Sequence, residues 1–442
     1  MRIAIIGAGV SGLGAAWVLG HRHDVTVFEA EERLGGHAHT VSVDHGGRRI
    51  DVDTGFIVYN ERNYPLLTRL FAHLGIATEA SDMSFSASIG DGALEYAGSN
   101  LATMFAQKRN LARPGFLRML ADIARFNAAA KRFVADGGDE RMPLGAFLDR
   151  GGYGRGFREW YLLPMAAAIW SAPVATMLAF PALSFLSFFR NHGLLEINDR
   201  PKWRTVSGGS QRYVTRLVTD LGLRVRRGRA VADVRRVPGG VAVSLWGGDR
   251  YLFDHVVLAC HSDQALGMLG DARDDERRAL SAIPYQPNRA ILHADPALMP
   301  RRRSVWSSWN YAAPAQQEGT TRVAVTYWMN RLQNLDPDRP LFVSLNPLRE
   351  PDPTLVFGEW RYDHPVFEGG ALEAQRTLRA IQGRDRIWFA GAWMGHGFHE
   401  DGLRSGFAVA EGLGVRPPWD EPVRSLPGTS IGLPERAAAH PV

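Results

Sequence analysis

Residues 3–20 read "IAIIGAGVSGLGAAWVLG": an apolar run, three glycines at 7, 9 and 12, then an alanine-rich run. That spacing suits phosphate chemistry. Gly7 permits a tight turn between strand and helix, Gly9 lets a pyrophosphate approach the backbone, and Gly12 lets the helix pack close. Amides at the helix start, those of Val10 and Ser11 among them, then face the phosphates. A second apolar stretch, "DVTVFEA", ends at Glu29 and Ala30. A carboxylate there accepts hydrogen bonds from both ribose hydroxyls and disfavours a ribose 2′-phosphate, hence NADP. The next residues, "EERLGGHAHT", supply Arg33, Gly35, Gly36 and His37. A basic group and a further glycine turn suit a longer, two-nucleotide ligand such as FAD. "IDVDTGFIVYN" adds Asp53, Gly55 and Phe56 after a third short strand, as an approach to the flavin side.

A second strand–glycine–helix stretch, "FAGAWMGHGFHEDGLRSG", occupies residues 389–406. If its strand lies in the same sheet as the first, the helix beginning near Asp401 aims its amides at the cofactor. A helix N-terminus favours negative charge there by roughly 0.3–2 kcal/mol. His396 and His399 are candidate bases, because imidazole titrates near neutral pH. The alternative is that they contact cofactor oxygens or pack structurally. Glu400 and Asp401 have a second reading as helix caps. His192 in "FRNHGLL" is a further candidate, with a satisfied helix-end histidine as its alternative.

The elements needed to position these residues are interleaved along the chain. Residues 1–60 are βαβ-like, and roughly 61–200 carry helical patterns such as "FLRMLADIARFNAAAKRFV". "VSGGSQRYVTRLVTDLG" is another glycine turn into an amphipathic helix, and "LRVRRGRAVADVRRV", "GVAVSLW" and "HVVLAC" alternate as strands do. Aromatic strands follow in "SVWSSWNYAA" and "RVAVTYWMNRLQ". The pattern predicts an α/β protein: a discontinuous Rossmann-type FAD-binding domain over 1–60, 201–285 and 366–414, with an inserted α+β substrate domain over 61–200 and 286–365. Residues 415–442 are proline-rich and polar, and predict a tail with little order.

The chain has 442 residues, 45% hydrophobic, and a net charge of +5. Its arginines are scattered among 46 acids without a long basic run, which argues against nucleic acid and leaves a weak preference for anionic surfaces. One cysteine, Cys260, excludes an internal disulfide framework and a cysteine-built metal site, and no metal site is expected. The chain enters a strand at once, which predicts no signal peptide and a cytoplasmic protein. Residues 160–189 carry no charge, a length that could span a bilayer. Pro164, Pro173 and Pro181 interrupt it, so a buried or membrane-touching lining is the expectation, with peripheral contact on the inner membrane face.

Taken together, "GAGVSGLGAA…FEAEERLGG", "VVLAC" and "FAGA…HEDGLRSG" resemble the flavin-containing amine oxidase and phytoene desaturase superfamily, with its glutathione-reductase-like, amine oxidase topology. "SDMSFS", "FAQKRN", "AAAIWSAP", "SFLSFFRNHGLL", "RPKWRTV", "WSSWNY", "VTYWMNRLQN", "LNPLR" and "GFHEDGLRSG" resemble more closely the flavin domain fused ahead of plant cyclopropane-fatty-acid synthases and its stand-alone bacterial relatives. The resemblance spans about residues 1–412. It implies non-covalent FAD held by the residues named above, with adenine contacted by the main chain at Val231, and pyrophosphate and flavin met at Gly391, Asp401, Gly402 and Leu403. Ala392 departs from the polar residue usual after "FAG".

Superfamily amine oxidases hold a lysine near the flavin from a substrate-domain strand. Here no lysine follows Lys202, and "IPYQPNRAILHAD" offers Asn288 and Arg289 instead. The resemblance therefore implies desaturation or double-bond isomerisation of an unsaturated acyl chain esterified in phospholipid, with hydride taken at flavin N5 while a base removes a proton. Amine oxidation, with Trp306, Trp309, Tyr327 and Trp328 as an aromatic cage, is the runner-up. A third reading is a flavin-bearing, lipid-presenting partner of a cyclopropane-synthase-like methyltransferase.

Overall fold

The computed structural model describes residues 1–170, 174–196, 201–314, 324–367 and 369–419. The chain forms two compact units: residues 1–32, 221–281 and 373–442, and residues 33–220 and 282–372. Residues 33–60 and 201–220, expected with the FAD-binding domain, fall in the second unit by this division. Their strands pair locally there, Thr40–Asp44 with Arg49–Asp53 and Trp203–Val206 with Tyr59–Asn60 and Thr78–Ser81.

The first unit is built on a five-stranded parallel sheet, ordered Arg224–Arg226, Asp24–Phe28, Arg2–Ile6, His255–Leu258 and Ile387–Phe389. Its strands are apolar because both faces are covered: Ile3, Ala4, Ile5, Val256 and Val257 are wholly buried. In register, Ile6 pairs with Phe28 and Leu258, and Leu258 with Phe389. Four loops therefore leave the same edge of the sheet, at its carboxyl ends, where open α/β sheets bind ligands. A three-stranded antiparallel sheet, Val231–Val237, Gly240–Leu245 and Arg250–Phe253, completes the strands of this unit.

Two helices pack on that edge. Val10–Gly20 is buried from Val10 through Leu19, and His399–Gly412 lies along it. The seam is glycine on backbone. A Cβ at Gly406 would stand 2.2 Å from the Ser11 carbonyl oxygen, and one at Gly14 would stand 2.6 Å from Leu403 Cδ1. Of the residues expected to form the tail, 415–419 are described: Val415 is buried and Trp419 stacks on Trp17 with centroids 5.9 Å apart. Residues 420–442 lie outside the described residues.

The second unit carries a seven-stranded sheet, ordered Val356–Pro365, Tyr285–His293, Phe342–Leu345, Ala324–Trp328, Trp309–Ala313, Phe85–Ile89 and Leu94–Ala97. Three strands of this unit, Thr78–Ser81, Phe85–Ile89 and Leu94–Ala97, lie inside a region expected to be helical. Local pattern is silent because the partner of Phe85 is Trp309, far along the chain. Registers across the sheet put Asn288, Tyr362, Tyr327, Trp309, Tyr311 and Tyr96 on one face. No strand residue on that face carries a formal charge.

The uncharged 160–189 stretch folds as Leu163–Trp170, Val174–Ala179 and Ala182–Asn191, with Pro181 at the entry of the last helix. Pro173 lies outside the described residues. The segment is core: Leu162, Leu163, Ala166, Ala167, Phe185, Leu186 and Phe189 are buried, and Trp170 lies 4.6 Å from Phe188 and 5.5 Å from Phe185 by ring centroids. Of the two expectations for this stretch, a buried or a membrane-touching lining, these residues follow the buried one. Among the described residues no helix is long and apolar enough to cross a membrane.

Candidate functional site

In the first unit the strand Arg2–Ile6 runs into Gly7, whose φ of +106° suits glycine and whose added Cβ would meet the Ala259 carbonyl oxygen at 2.7 Å. Gly12 is fixed by contact as well: a Cβ there would stand 1.9 Å from the Gly7 carbonyl oxygen. Gly9 differs. Nothing lies within 4 Å of a Cβ at Gly9, so the loop is closed on its protein side and open on the other. The helix that follows has Gly9 as its N-cap and no side-chain cap on its first-turn amides. Those of Val10 and Ser11 are the groups a phosphate would satisfy.

Glu29 leaves the second strand beside this loop. Its Oε2 accepts from the Ala8 amide at 2.8 Å and its Oε1 from the Glu31 amide at 3.0 Å, which fixes the carboxylate at the sheet edge. Ala30 is exposed beside it. Val231 opens the strand Val231–Val237, where a bulge at 231–233 releases backbone from pairing.

The 391–406 loop is held from several sides. Gly391 donates its amide to Ser405 Oγ at 2.8 Å, and Gln375 Nε2 donates to the Trp393 and Gly395 carbonyls at 2.8 and 2.7 Å. Arg379 Nη2 donates to the Met394 carbonyl at 2.7 Å. Gln375, Arg379 and Ser405 carry no sequence signal of this role. Asp401 takes the capping reading: its Oδ2 accepts from the His396 and Phe398 amides, each at 3.0 Å. Gly402 abuts Ser11 Oγ and Val10, and Leu403 is wholly buried in the helix seam. What Leu403 can offer a cofactor is its main chain.

His399 departs from the expectation of a base titrating near neutrality. Burial pulls its imidazole down to about 3, so the ring is neutral at ordinary pH. His396 gives its amide to Asp401. His192, in the second unit, follows the satisfied helix-end reading: it caps Ala182–Asn191, its Nδ1 lies 3.0 Å from the Phe188 carbonyl, and its ring stacks on Phe188 at 3.7 Å. Cys260 is inert, its thiol pushed up to about 12 by burial.

The second unit gathers the remaining predicted residues around one turn. Arg33 Nη1 donates to the Gly36 carbonyl at 2.8 Å and closes the glycine pair. Phe56 donates its amide to the His37 carbonyl at 2.7 Å, and a Cβ at Gly55 would stand 2.1 Å from that same oxygen. Asp53 anchors this turn. Wholly buried, it accepts from Thr40 Oγ1 at 2.6 Å, Ser210 Oγ at 2.8 Å, the Ser210 amide and Gln333 Nε2 at 3.0 Å; burial pushes its carboxyl up to about 6. Its lone pairs are committed to protein.

Beside the turn sits a cluster that sequence reading missed. His39 Nδ1 lies 2.8 Å from Tyr362 Oη, and Thr54 Oγ1 lies 2.6 Å from the same hydroxyl; burial, then the Arg33 charge, pulls His39 down to about 4. Next to it, a chain of amides fixes a histidine tautomer. The Arg289 amide donates to Asn346 Oδ1 at 2.9 Å, so Asn346 Nδ2 must be the atom donating to Asn288 Oδ1 at 2.7 Å. Asn288 Nδ2 then donates to the Gln286 carbonyl and to His364 Nδ1, both at 3.1 Å. His364 is thus an acceptor at Nδ1 and carries its proton on Nε2. Arg289, one residue on, points to the other face and pairs with Glu359 and Glu350.

The four-aromatic cage does not assemble. Tyr327 and Trp328 are consecutive in one strand and take opposite faces. Trp309 and Tyr327 meet edge-on at 4.9 Å on the uncharged face, whereas Trp306 and Trp328 meet at 5.5 Å on the other. A separate open cleft of about 730 Å³, bordered by Thr40, Asp51, Ile76, Gln211, Arg212 and Arg216, includes none of the predicted site residues.

The arrangement fits a dinucleotide: an uncapped buried helix start, open space over Gly9, and a carboxylate fixed at the end of the second strand. Comparison with known proteins agrees. The family described as flavin containing amine oxidoreductase matches residues 10–413. An L-amino-acid oxidase of Sistrurus catenatus edwardsii is 60% identical over 40 residues, 9% of this chain and 8% of that protein. The mitochondrial protoporphyrinogen oxidase of Nicotiana tabacum is 59% identical over 44 residues, 10% of this chain and 9% of that protein. These matches span less than a tenth of either relative. Among solved structures, a CLA-producing fatty acid isomerase from P. acnes has a TM-score of 0.66 at 18% identity, over 93% of this chain and 98% of that one. Putrescine oxidase bound to putrescine has 0.65 at 17%, over 93% and 99%. Identities this low speak to fold alone. With a family match over nearly its whole length and a nucleotide cradle in place, this chain belongs to the flavin-containing amine oxidoreductase family, with FAD as its cofactor.

Proposed function

We propose that the protein acts on an unsaturated acyl chain, in phospholipid, by desaturation or double-bond isomerisation. The observation that carries this reading is the uncharged face of the seven-stranded sheet, with Trp309, Tyr311, Tyr327 and Tyr362 on it and Asn288 in place of a lysine. Such a face suits an apolar chain and offers no carboxylate to a cationic amine. The fold likeness to a fatty acid isomerase supports the same reading.

FAD supplies hydride acceptance; the protein binds and orients. Gly7, Gly9, Val10, Ser11 and Gly12 would take the pyrophosphate, and Glu29 the ribose. Main chain at Val231, Gly391, Gly402 and Leu403 of the same unit would contribute further contacts. His364, held at Nδ1 by Asn288, would offer Nε2 as a donor.

Amine oxidation is the second reading, favoured by the likeness to putrescine oxidase. Anaerobic mixing separates the two. Phospholipid bleaching the flavin, or lipid products with moved or new double bonds by mass spectrometry, supports acyl-chain chemistry. Bleaching by primary amines with no lipid product overturns it. Neither bleaching nor product, with co-purification of a cyclopropane-synthase-like methyltransferase, points instead to the partner role.

A further inference from the structure

We propose that residues Leu101–Arg118 form the surface by which this protein docks on an anionic phospholipid bilayer. Seven large hydrophobic side chains are exposed among the described residues, and three of them, Leu101 at 77%, Leu111 at 57% and Leu117 at 44%, fall within this one segment. Scattered single leucines need no explanation; a cluster does. The segment's own charge is of one sign. From Tyr96 to Ala121 the chain contains no acid and four cations, Lys108, Arg109, Arg113 and Arg118.

The segment is braced to present these groups. It comprises the short helix Leu101–Met104, the turn Lys108–Ala112 and the start of the helix Pro114–Ala135. Asn100 and Thr103 cap the first helix reciprocally, at 2.9 and 3.1 Å. The ring of Phe105 meets buried Phe116 at 5.8 Å, and Phe116 meets Tyr96 at 5.6 Å, which sets the three pieces side by side on the sheet edge. Arg109 and Arg113 both reach the Ala93 carbonyl. Lys108 has no acidic partner among the described residues, and Arg118 reaches the buried Asp122 at 3.8 Å. The turn Arg303–Val305 packs beside the first helix and adds exposed Arg303.

Leucines flanked by cations match a bilayer surface: the apolar tips enter the acyl boundary while ammonium and guanidinium groups stay among anionic headgroups. Nucleic acid would use the cations and leave the leucines in water. The described residues of 160–189 are largely core, so the proposal places membrane contact on this segment instead. The proposal draws on the acyl-chain reading only for why a bilayer would be sought.

The test uses FAD-loaded, full-length protein and vesicles of phosphatidylcholine alone or of equal parts phosphatidylcholine and phosphatidylglycerol. Wild-type protein should sediment with the anionic vesicles and not the neutral ones, more so at low salt. The double variant Leu111→Asp/Leu117→Asp should lose at least about tenfold in partition. Lys108→Gln/Arg118→Gln should bind more weakly with a shallower salt dependence. Leu348→Asp, an exposed leucine elsewhere, should bind as wild type. Equal sedimentation with both vesicle types, full binding by the Leu→Asp pair, or an equal loss in Leu348→Asp overturns the surface. So does a concentration-dependent dimer that the Leu→Asp pair dissociates without any vesicle binding, which would make the patch an interface between copies. Vesicle binding without turnover of detergent-dispersed lipid would leave the surface standing and sink the acyl-chain reading. Turnover without vesicle binding would do the reverse.

Discussion

Gly9→Val separates cofactor binding from folding, because Gly9 is the one glycine of its triplet that a side chain can replace at no cost to the polypeptide. Its backbone, at φ −76° and ψ −177°, is extended and comfortable for a β-branched residue, and its Cβ position is empty to 4 Å. The apoprotein should therefore melt within a degree or two of wild-type apoprotein. The isopropyl group instead fills the space over the helix start. Losing two charge-assisted bonds from helix amides to phosphate costs roughly 3–6 kcal/mol, a drop in FAD affinity of about a hundred- to ten-thousandfold. Protein purified without added FAD should be colourless, and titration calorimetry with FAD should give the weakened constant directly. Gly12→Ala makes the contrast. One methyl there collides with the Gly7 carbonyl at 1.9 Å, so this variant should lose stability and flavin together. A yellow Gly9→Val protein with full flavin content would refute the placement of the pyrophosphate.

Gly406→Ala should lower the melting temperature of the first unit and weaken FAD binding, since a Cβ 2.2 Å from the Ser11 carbonyl forces the two helices apart at a cost of about 1–3 kcal/mol; a wild-type thermal scan would refute the seam. Asn288→Asp turns the donor facing His364 Nδ1 into an acceptor, so nitrogen-15 shifts of labelled histidine should report the proton moving to Nδ1 or a charged ring, and an unchanged His364 signal would contradict the amide chain. Acid should expose His293, which burial pulls down to about 4 and which accepts from the Asp295 amide at Nδ1. The unfolded chain binds that proton below the ordinary histidine range and the folded one does not, so stability present above pH 6.5 falls by about 1.4 kcal/mol per unit toward pH 4. Asp53, raised to about 6, runs the other way between pH 6 and 4 and offsets part of the loss. His293→Gln should therefore lose about 2 kcal/mol less than wild type between pH 7 and 5 by urea midpoint; equal losses would remove His293 from the account.

What was legible in the sequence was local. Gly7, Gly9, Gly12 and Glu29 sit within one βαβ unit, and their chemistry follows from spacing. The second stretch at 389–406 was legible by analogy of pattern, and the placement of Ile387–Phe389 beside His255–Leu258 in the same sheet meets the condition set for it. The strands Thr78–Ser81, Phe85–Ile89 and Leu94–Ala97 were not legible, because what makes them strands is pairing across the length of the chain. The 160–189 run left two readings open for a related reason. Absence of charge marks a segment that avoids water, and it cannot say whether protein or lipid does the covering.

The residue types at Asn288 and His364 were visible, but their joint role was not, since a tautomer is fixed by the direction of every hydrogen bond upstream of it. That direction begins at a backbone amide, which cannot reverse, and passes through two side-chain amides that each have one workable orientation. A lysine in that strand would bring a cation to the uncharged face. Asparagine brings no charge, and spends its donor on a ring that stays neutral. On a face without formal charge, a fixed neutral donor can hold a carbonyl or a polarised double bond in place without an uncompensated charge having to be buried. That is the physical argument behind the proposal that this chain, inside a family described by amines, takes a substrate that carries none.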